Sequence, residues 1–282
     1  LPRRPVNDPR VARLGELIVG YSLGLEPGKV VRIDAPPVAS PLSVELYRAA
    51  LAAGAYPYVN VELERLPELL LAEGSDEQLD FVSPIAKAEV ELVDAIVTVW
   101  SESNTRALTR ADPQRHQRML GATQQLSKRR WERMSAGELG WCGVLFPTEA
   151  HAQDAEMSLA EYERFVFRAC HVEEPGDPVV AHWRGVRDDL AARAQQLSEV
   201  RELRIVGPGT ELKVGVEGRR SKPADWRYNM PDGEVYTSPL ETVTEGEIGF
   251  AFPALFHGRE VDGIRLRFEG GRVAAAEASR GQ

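Results

Sequence analysis

The sequence predicts an α/β fold class. A Rossmann-like, mainly parallel sheet domain is expected over residues 1–200, followed by a β-rich α+β domain over residues 201–282. Three observations carry this reading. Up to about residue 200, short β-branched runs alternate with stretches of helical apolar spacing, the pattern of βαβ units. From Arg201 onward the runs alternate apolar and polar residues and are joined by glycine-containing turns, which reads as mostly antiparallel sheet. The length of 282 residues, 43% of them hydrophobic and 27% charged, suffices for one large globular domain or two of ordinary size.

The elements follow in order. Asp8-Pro9 reads as an N-cap and first-turn pair, and Val11, Leu14, Leu17, Ile18, Tyr21 and Leu25 recur at helical spacing, so a helix is expected over residues 8–24, ended by Pro27-Gly28. Val30 to Ala35 is a β-branched strand, and Leu42 to Ala53 a helix stopped by Gly54. Tyr56 to Glu62 is a second strand, followed by helices over Leu66–Ala72 and Asp76–Leu92, the latter kinked or restarted at Pro84. Ala95–Trp100 and Trp141–Phe146 are the third and fourth strands, flanking a polar helix over Pro113–Met134. His151 and Asp154 fall in the loop that follows. Ser158-Leu159-Ala160-Glu161 is a capping box opening a helix to about His171, and a long helix runs from Val179 to about Glu199.

Beyond it, Leu203–Val206, Glu211–Val216, Gly233–Thr237, Gly246–Ala251 and Gly263–Glu269 are the expected strands. Gly207-Pro208-Gly209 is a turn between strands; its proline breaks the spacing of a dinucleotide fingerprint.

Composition excludes several classes. A net charge of −9 argues against a nucleic-acid partner, which calls for a basic face. No apolar run approaches the roughly 18 residues that span a bilayer. The two cysteines, Cys142 and Cys170, make no disulfide framework and read as buried thiols, which fits a reducing cytoplasm. The basic run Lys128-Arg129-Arg130 reads as a solvated helix face, and Arg219-Arg220 as a hairpin loop or a grip for a carboxylate.

The run Asn229 to Pro239 carries the most chemistry. Pro231-Asp232-Gly233 is turn material, and Val235-Tyr236-Thr237 begins a strand. Glu234 is therefore set at the rim of a sheet, either as a solvated charge beside a hairpin or as a carboxylate suited to a divalent metal. Each of the five histidines, His116, His151, His171, His182 and His257, reads first as a surface or core-edge residue. His257 shares the β-rich segment with Glu234, and Asp232 and Glu241 are candidates for supporting bonds around it.

The run N-M-P-D-G-E-V-Y-T resembles the signature of the aminopeptidase T / aminopeptidase S family of metallopeptidases. Gly209-Thr210-Glu211-Leu212, Gly246-Glu247-Ile248 and, more softly, residues 21–55 are similar to the family as well. The resemblance implies a metal-dependent aminopeptidase that acts on peptide N-termini with two divalent ions, of zinc or cobalt type, and forms a homodimer. It implies that residues 201–282 are the N-terminal part of a catalytic domain, with Glu234 as a metal ligand. The family's further ligands, another Glu, two His, a Tyr and an Asp, lie in a segment with an H-x-D pair that this sequence does not contain. The general base is expected there too, so the expectation is a truncated form with an incomplete metal site and little activity. Two other readings stand beside it. One is a non-catalytic binding or scaffold protein on the same fold. The other is a relative of the iron-dependent ring-cleaving dioxygenases, which Glu234 disfavours.

Overall fold

The computed structural model describes residues 8–174, 176, 178–224, 228–256 and 259–281. The chain forms two compact units: residues 1–107, 111–184 and 226–232 belong to the first, and residues 108–110, 185–225 and 233–282 to the second.

Helix α1 (Pro9–Leu17) is followed by β1 (Val30–Ala35), α2 (Ser40–Ala52), β2 (Tyr56–Val61), α3 (Arg65–Glu73), α4 (Asp76–Asp80) and α5 (Pro84–Leu92). Then come β3 (Ala95–Trp100), α6 (Pro113–Ala122), α7 (Gln124–Ser135), β4 (Gly140–Leu145), α8 (Glu149–Asp154), α9 (Leu159–Ala169) and α10 (Val179–Ser198). The remainder is β5 (Glu202–Gly207), β6 (Thr210–Gly215), β7 (Lys222–Pro223), β8 (Asn229–Met230), β9 (Val235–Tyr236), β10 (Thr244–Gly249), β11 (Ala254–Phe256), β12 (Arg259–Val261), β13 (Arg265–Glu269) and β14 (Arg272–Glu277).

In the first unit, β2, β1, β3, β4 and β8 line up in that order as a five-stranded parallel sheet, as the alternating pattern predicts. Asp8 caps α1 by accepting from the Arg10 amide at 2.9 Å. Helices α1 and α2 pack together and α2 lies against β1. Leu14, Ile18, Ile33, Leu42 and Leu46 are fully buried there. The capping box at Ser158 is present, with Ser158 and Glu161 bonded reciprocally. Cys142 and Cys170 are free and buried, as expected, and burial pushes the Cys142 thiol up to about 12.

The restart expected at Pro84 is present: the segment over 76–92 is two helices, because Pro84 lacks an amide proton and starts α5 while Ser83 caps it from the Ile85 amide. Other expectations are corrected. The helix expected over 113–134 breaks at Thr123, just past Gly121, a poor helix former. His151 and Asp154 lie on α8, not in a loop; Thr148 caps that helix by accepting from the His151 amide at 3.2 Å. Asn229-Met230, for which no strand was expected, forms β8: the Gly143 amide donates to the Tyr228 carbonyl at 2.6 Å, and Met230 is 1% exposed. Arg130 also departs from the solvated face expected of its run, since it is half-buried while Lys128 is exposed.

In the second unit, β14, β13, β10, β6 and β5 form an antiparallel sheet in that order, again as predicted. β5 and β6 are a hairpin through the expected Pro208-Gly209 turn. β14 was not expected, since Ala274-Ala275-Ala276 carries no strand alternation.

Gly246 sits on β10 at φ 112°, and a Cβ there would lie 2.1 Å from the Glu211 carbonyl oxygen of β6. Both the backbone conformation and the close approach demand glycine. Gly246→Ala is therefore expected to destabilise the protein by about 2 kcal/mol or more. Gly207→Ala, in open space, is expected to be close to neutral. Chemical denaturation of both variants checks the contrast.

Candidate functional site

Glu234 is built into the second unit by its backbone. β7 pairs antiparallel with β9, Lys222 opposite Tyr236 and Pro223 opposite Val235. The Ala224 amide donates to the Glu234 carbonyl at 2.8 Å, which extends the ribbon by one residue. Gly233, at φ 154°, supplies a backbone conformation that side-chain-bearing residues rarely adopt. The Glu234 side chain is left exposed. Nearby chain is fastened too: the Leu240 amide donates to the Gly215 carbonyl at 2.7 Å, and the Ser221 amide to Ser198 Oγ at 2.9 Å. A carboxylate on a pinned backbone, aimed at solvent, can serve a cation at low ordering cost.

The other residues singled out by sequence fall as follows. Arg219 does not offer its fork to a ligand: its Nη2 pairs with Glu241 at 2.6 Å. Glu241 is thereby occupied, and its own backbone amide and Arg219 hold its carboxyl below the usual range. Asp232 belongs to the first unit, while Glu234 belongs to the second. His257 lies outside the described residues. Among the described residues, no three His, Cys, Asp or Glu side chains gather as a metal-binding group. Structural and catalytic zinc sites take at least three protein ligands, so the described residues do not by themselves make a donor set.

The histidines of the first unit have structural partners. The His171 and His182 rings stack at 3.9 Å and 18°, and His182 meets Trp183 edge-on at 5.0 Å. His116 lies on α6.

His151 is more tightly held, in a contact that the sequence reading missed. Its Nε2 lies 2.8 Å from Glu102 Oε2, beyond the end of β3. Thr148 Oγ1 donates to the Glu102 carbonyl at 2.7 Å. The pair is separated by 49 positions, so no local motif announces it. The bond to His151 is the main cause that holds the Glu102 carboxyl below the ordinary range.

Because the folded value is lowered, this contact adds stability above the ordinary carboxylate range, and the contribution is lost as pH falls through the lowered value. His151→Ala is expected to return Glu102 toward its ordinary value. A carboxyl NMR titration checks this, and an unchanged Glu102 titration in the variant would sink the assignment.

The chain matches the family model described as Thermophilic metalloprotease (M29) over residues 7–282. It is 25% identical to Aminopeptidase PepS of Streptococcus thermophilus, an alignment covering 96% of this chain and 70% of that protein. It is 26% identical to Aminopeptidase T of Thermus thermophilus, covering 96% of this chain and 71% of the relative. Among solved structures, wild-type AmpT from Thermus thermophilus superposes with a TM-score of 0.80 at 26% identity, over 97% of this chain and 72% of that one.

Proposed function

The chain belongs to the thermophilic metalloprotease (M29) family, and from that premise we propose that it works as a metal-dependent aminopeptidase, releasing N-terminal amino acids from peptides. The observation that carries the reading is the family match along residues 7–282. The names of the relatives support the aminopeptidase assignment. The family's name implies a divalent metal. The finer proposal is two ions of zinc or cobalt type, held in a domain to which residues 201–282 contribute. A homodimer and a cytoplasmic setting complete the proposal, resting on the family resemblance and on the free, buried thiols respectively.

Glu234 is proposed as one metal ligand. The support is its exposed carboxylate on a fastened ribbon, within the run that carries the family resemblance. One carboxylate cannot hold an ion in competition with water, so the proposal requires co-ligands beyond Glu234, and no group of three candidate ligands gathers among the described residues. The role of the described residues is to present that carboxylate at a fixed place.

The test uses the native protein with elemental analysis and an aminoacyl anilide substrate. Replacing even an outer partner of a metal ligand commonly costs 10–100-fold in metal affinity. Glu234→Ala, which removes a ligand outright, is expected to lower metal affinity and turnover by at least about tenfold on that scale. Glu247→Ala, an exposed change on β10, is expected to leave both unchanged. A native protein that holds no metal and is indifferent to Glu234→Ala would overturn the proposal and favour a scaffold role.

A further inference from the structure

One face of the parallel sheet in the first unit is polar where helices cover it. Arg32 and Asp34 of β1 share that face with Tyr58 and Asn60 of β2 and Ile96 and Thr98 of β3, which stand opposite them in register. Arg32 is fully committed: its Nη2 lies 2.8 Å from Asp34 and its Nη1 3.3 Å from Glu89 of α5.

The second guanidinium at this face, Arg130 of α7, is different. Its Nε is buried with no hydrogen-bond partner among the described residues. Leaving a charged donor out of water and unanswered is costly, and native proteins keep few such groups. Arg130 lines a cavity of about 230 Å³ together with Thr98, Ser127, Trp131, Met134 and Trp141. Ile96 and Leu139, both buried, complete its floor. Thr98 Oγ1 accepts from Trp141 Nε1 at 3.0 Å, so its own proton can turn to an acceptor.

An apolar cavity with a few convergent polar groups is the ordinary form of a small-molecule site. Its volume falls below the roughly 300 Å³ of pockets for drug-sized ligands. A guanidinium fork suits a carboxylate. Indole rings and a methionine suit an aromatic or aliphatic body. Burial and then the neighbouring Arg32 bear on Arg130 against the weaker pull of Asp34, Glu89 and Glu62, and with three carboxylates nearby a ligand with a single negative charge is favoured over one with more.

We propose that this cavity between α7 and strands β3 and β4 binds a small apolar monocarboxylate, with the carboxylate on Arg130 and the body against Trp131, Trp141 and Met134. The site lies wholly in the first unit and does not depend on the peptidase reading. Its test reads binding rather than turnover, so the two stand or fall separately.

The probe is 3-phenylpropanoate, titrated into the full chain by calorimetry and by tryptophan fluorescence, with 3-phenylpropanamide as the uncharged control. Saturable binding at one site per chain is expected for the acid, with the amide at least about tenfold weaker, as befits loss of a charge-assisted bond. Arg130→Gln is expected to weaken the acid to a similar degree. Arg129→Gln, which removes a surface pair with Glu91, is expected to bind as the parent does. Thermal unfolding establishes that each variant is folded. Should Arg130→Gln fail to fold, Trp131→Ala decides, since Trp131 is 61% exposed and its truncation spares the core; it too is expected to weaken binding. No saturable binding to the parent, equal binding of acid and amide, or parent-like binding by a folded Arg130→Gln or Trp131→Ala would overturn the proposal.

Discussion

A guanidinium buried in the middle of a parallel sheet has to be answered, and in this protein much of the first unit is arranged around that need. Arg32 and Asp34 have side chains only 6% exposed. Removing either charge from water costs several kcal/mol, which their mutual attraction repays only with good geometry and further hydrogen bonds. Those bonds are present. Asn60 Nδ2 donates to the second Asp34 oxygen at 2.9 Å, Glu89 takes a second arm of Arg32, and Tyr58 donates to Glu89 at 3.2 Å. The partners of the pair lie on β2 (Tyr58 and Asn60) and on α5 (Glu89), so the pair specifies the register of β2 on β1 and the seat of α5. Specificity is the better account than net stability, since a buried pair seldom outperforms an apolar replacement.

The same alternation separates the two faces of the sheet. Val31, Ile33 and Ala35 of β1 are buried apolar residues, while Arg32 and Asp34 turn to the opposite face. The polar layer leaves α7 with a choice of what to bring down upon it. It brings Arg130, beside a guanidinium already satisfied, and the Nε left without a partner is what fits the adjoining cavity to a carboxylate. Glu234 in the second unit is presented by a different logic. Backbone pairing at Val235, Tyr236 and the Glu234 carbonyl fixes the chain, and the side chain is left without work inside the described fold.

Legibility in the sequence followed the length and period of each element. β1 and β3 were readable to the residue because short runs rich in β-branched residues and bounded by turns, Val30–Ala35 and Ala95–Trp100, have few alternatives. The α9 capping box and the β5–β6 turn were readable because they are local chemistry. β8 and α8 were not, since two and six residues hold too little period to register. Arg130 was misjudged for a related reason: Lys128-Arg129-Arg130 looks uniform as a string, and only the phase of α7 over the sheet turns one of the three inward. The family was legible from the Asn229–Thr237 run, while the Glu102–His151 contact had no local signal at all.

The Rossmann-like architecture invites a nucleotide reading, because parallel sheets of this kind take ligands at the carboxyl ends of their strands. Here the ends of β3 and β4 are stitched to one another. The Phe146 amide donates to the Trp100 carbonyl at 3.0 Å, Ser101 Oγ donates to the Phe146 carbonyl at 3.0 Å, and Thr148 Oγ1 donates to the Glu102 carbonyl at 2.7 Å. Thr148 also caps the first turn of α8, and Glu102 sets a carboxylate beside that turn. At the β3–β4 ends a phosphate would meet committed backbone groups and a negative charge, and after β1, where the strand order reverses between β1 and β3, the chain runs into Pro36-Pro37 and not into a glycine loop. The architecture is shared with nucleotide-binding proteins while this edge is built for closure, so the fold constrains the scaffold and the local hydrogen bonds decide the chemistry it accepts.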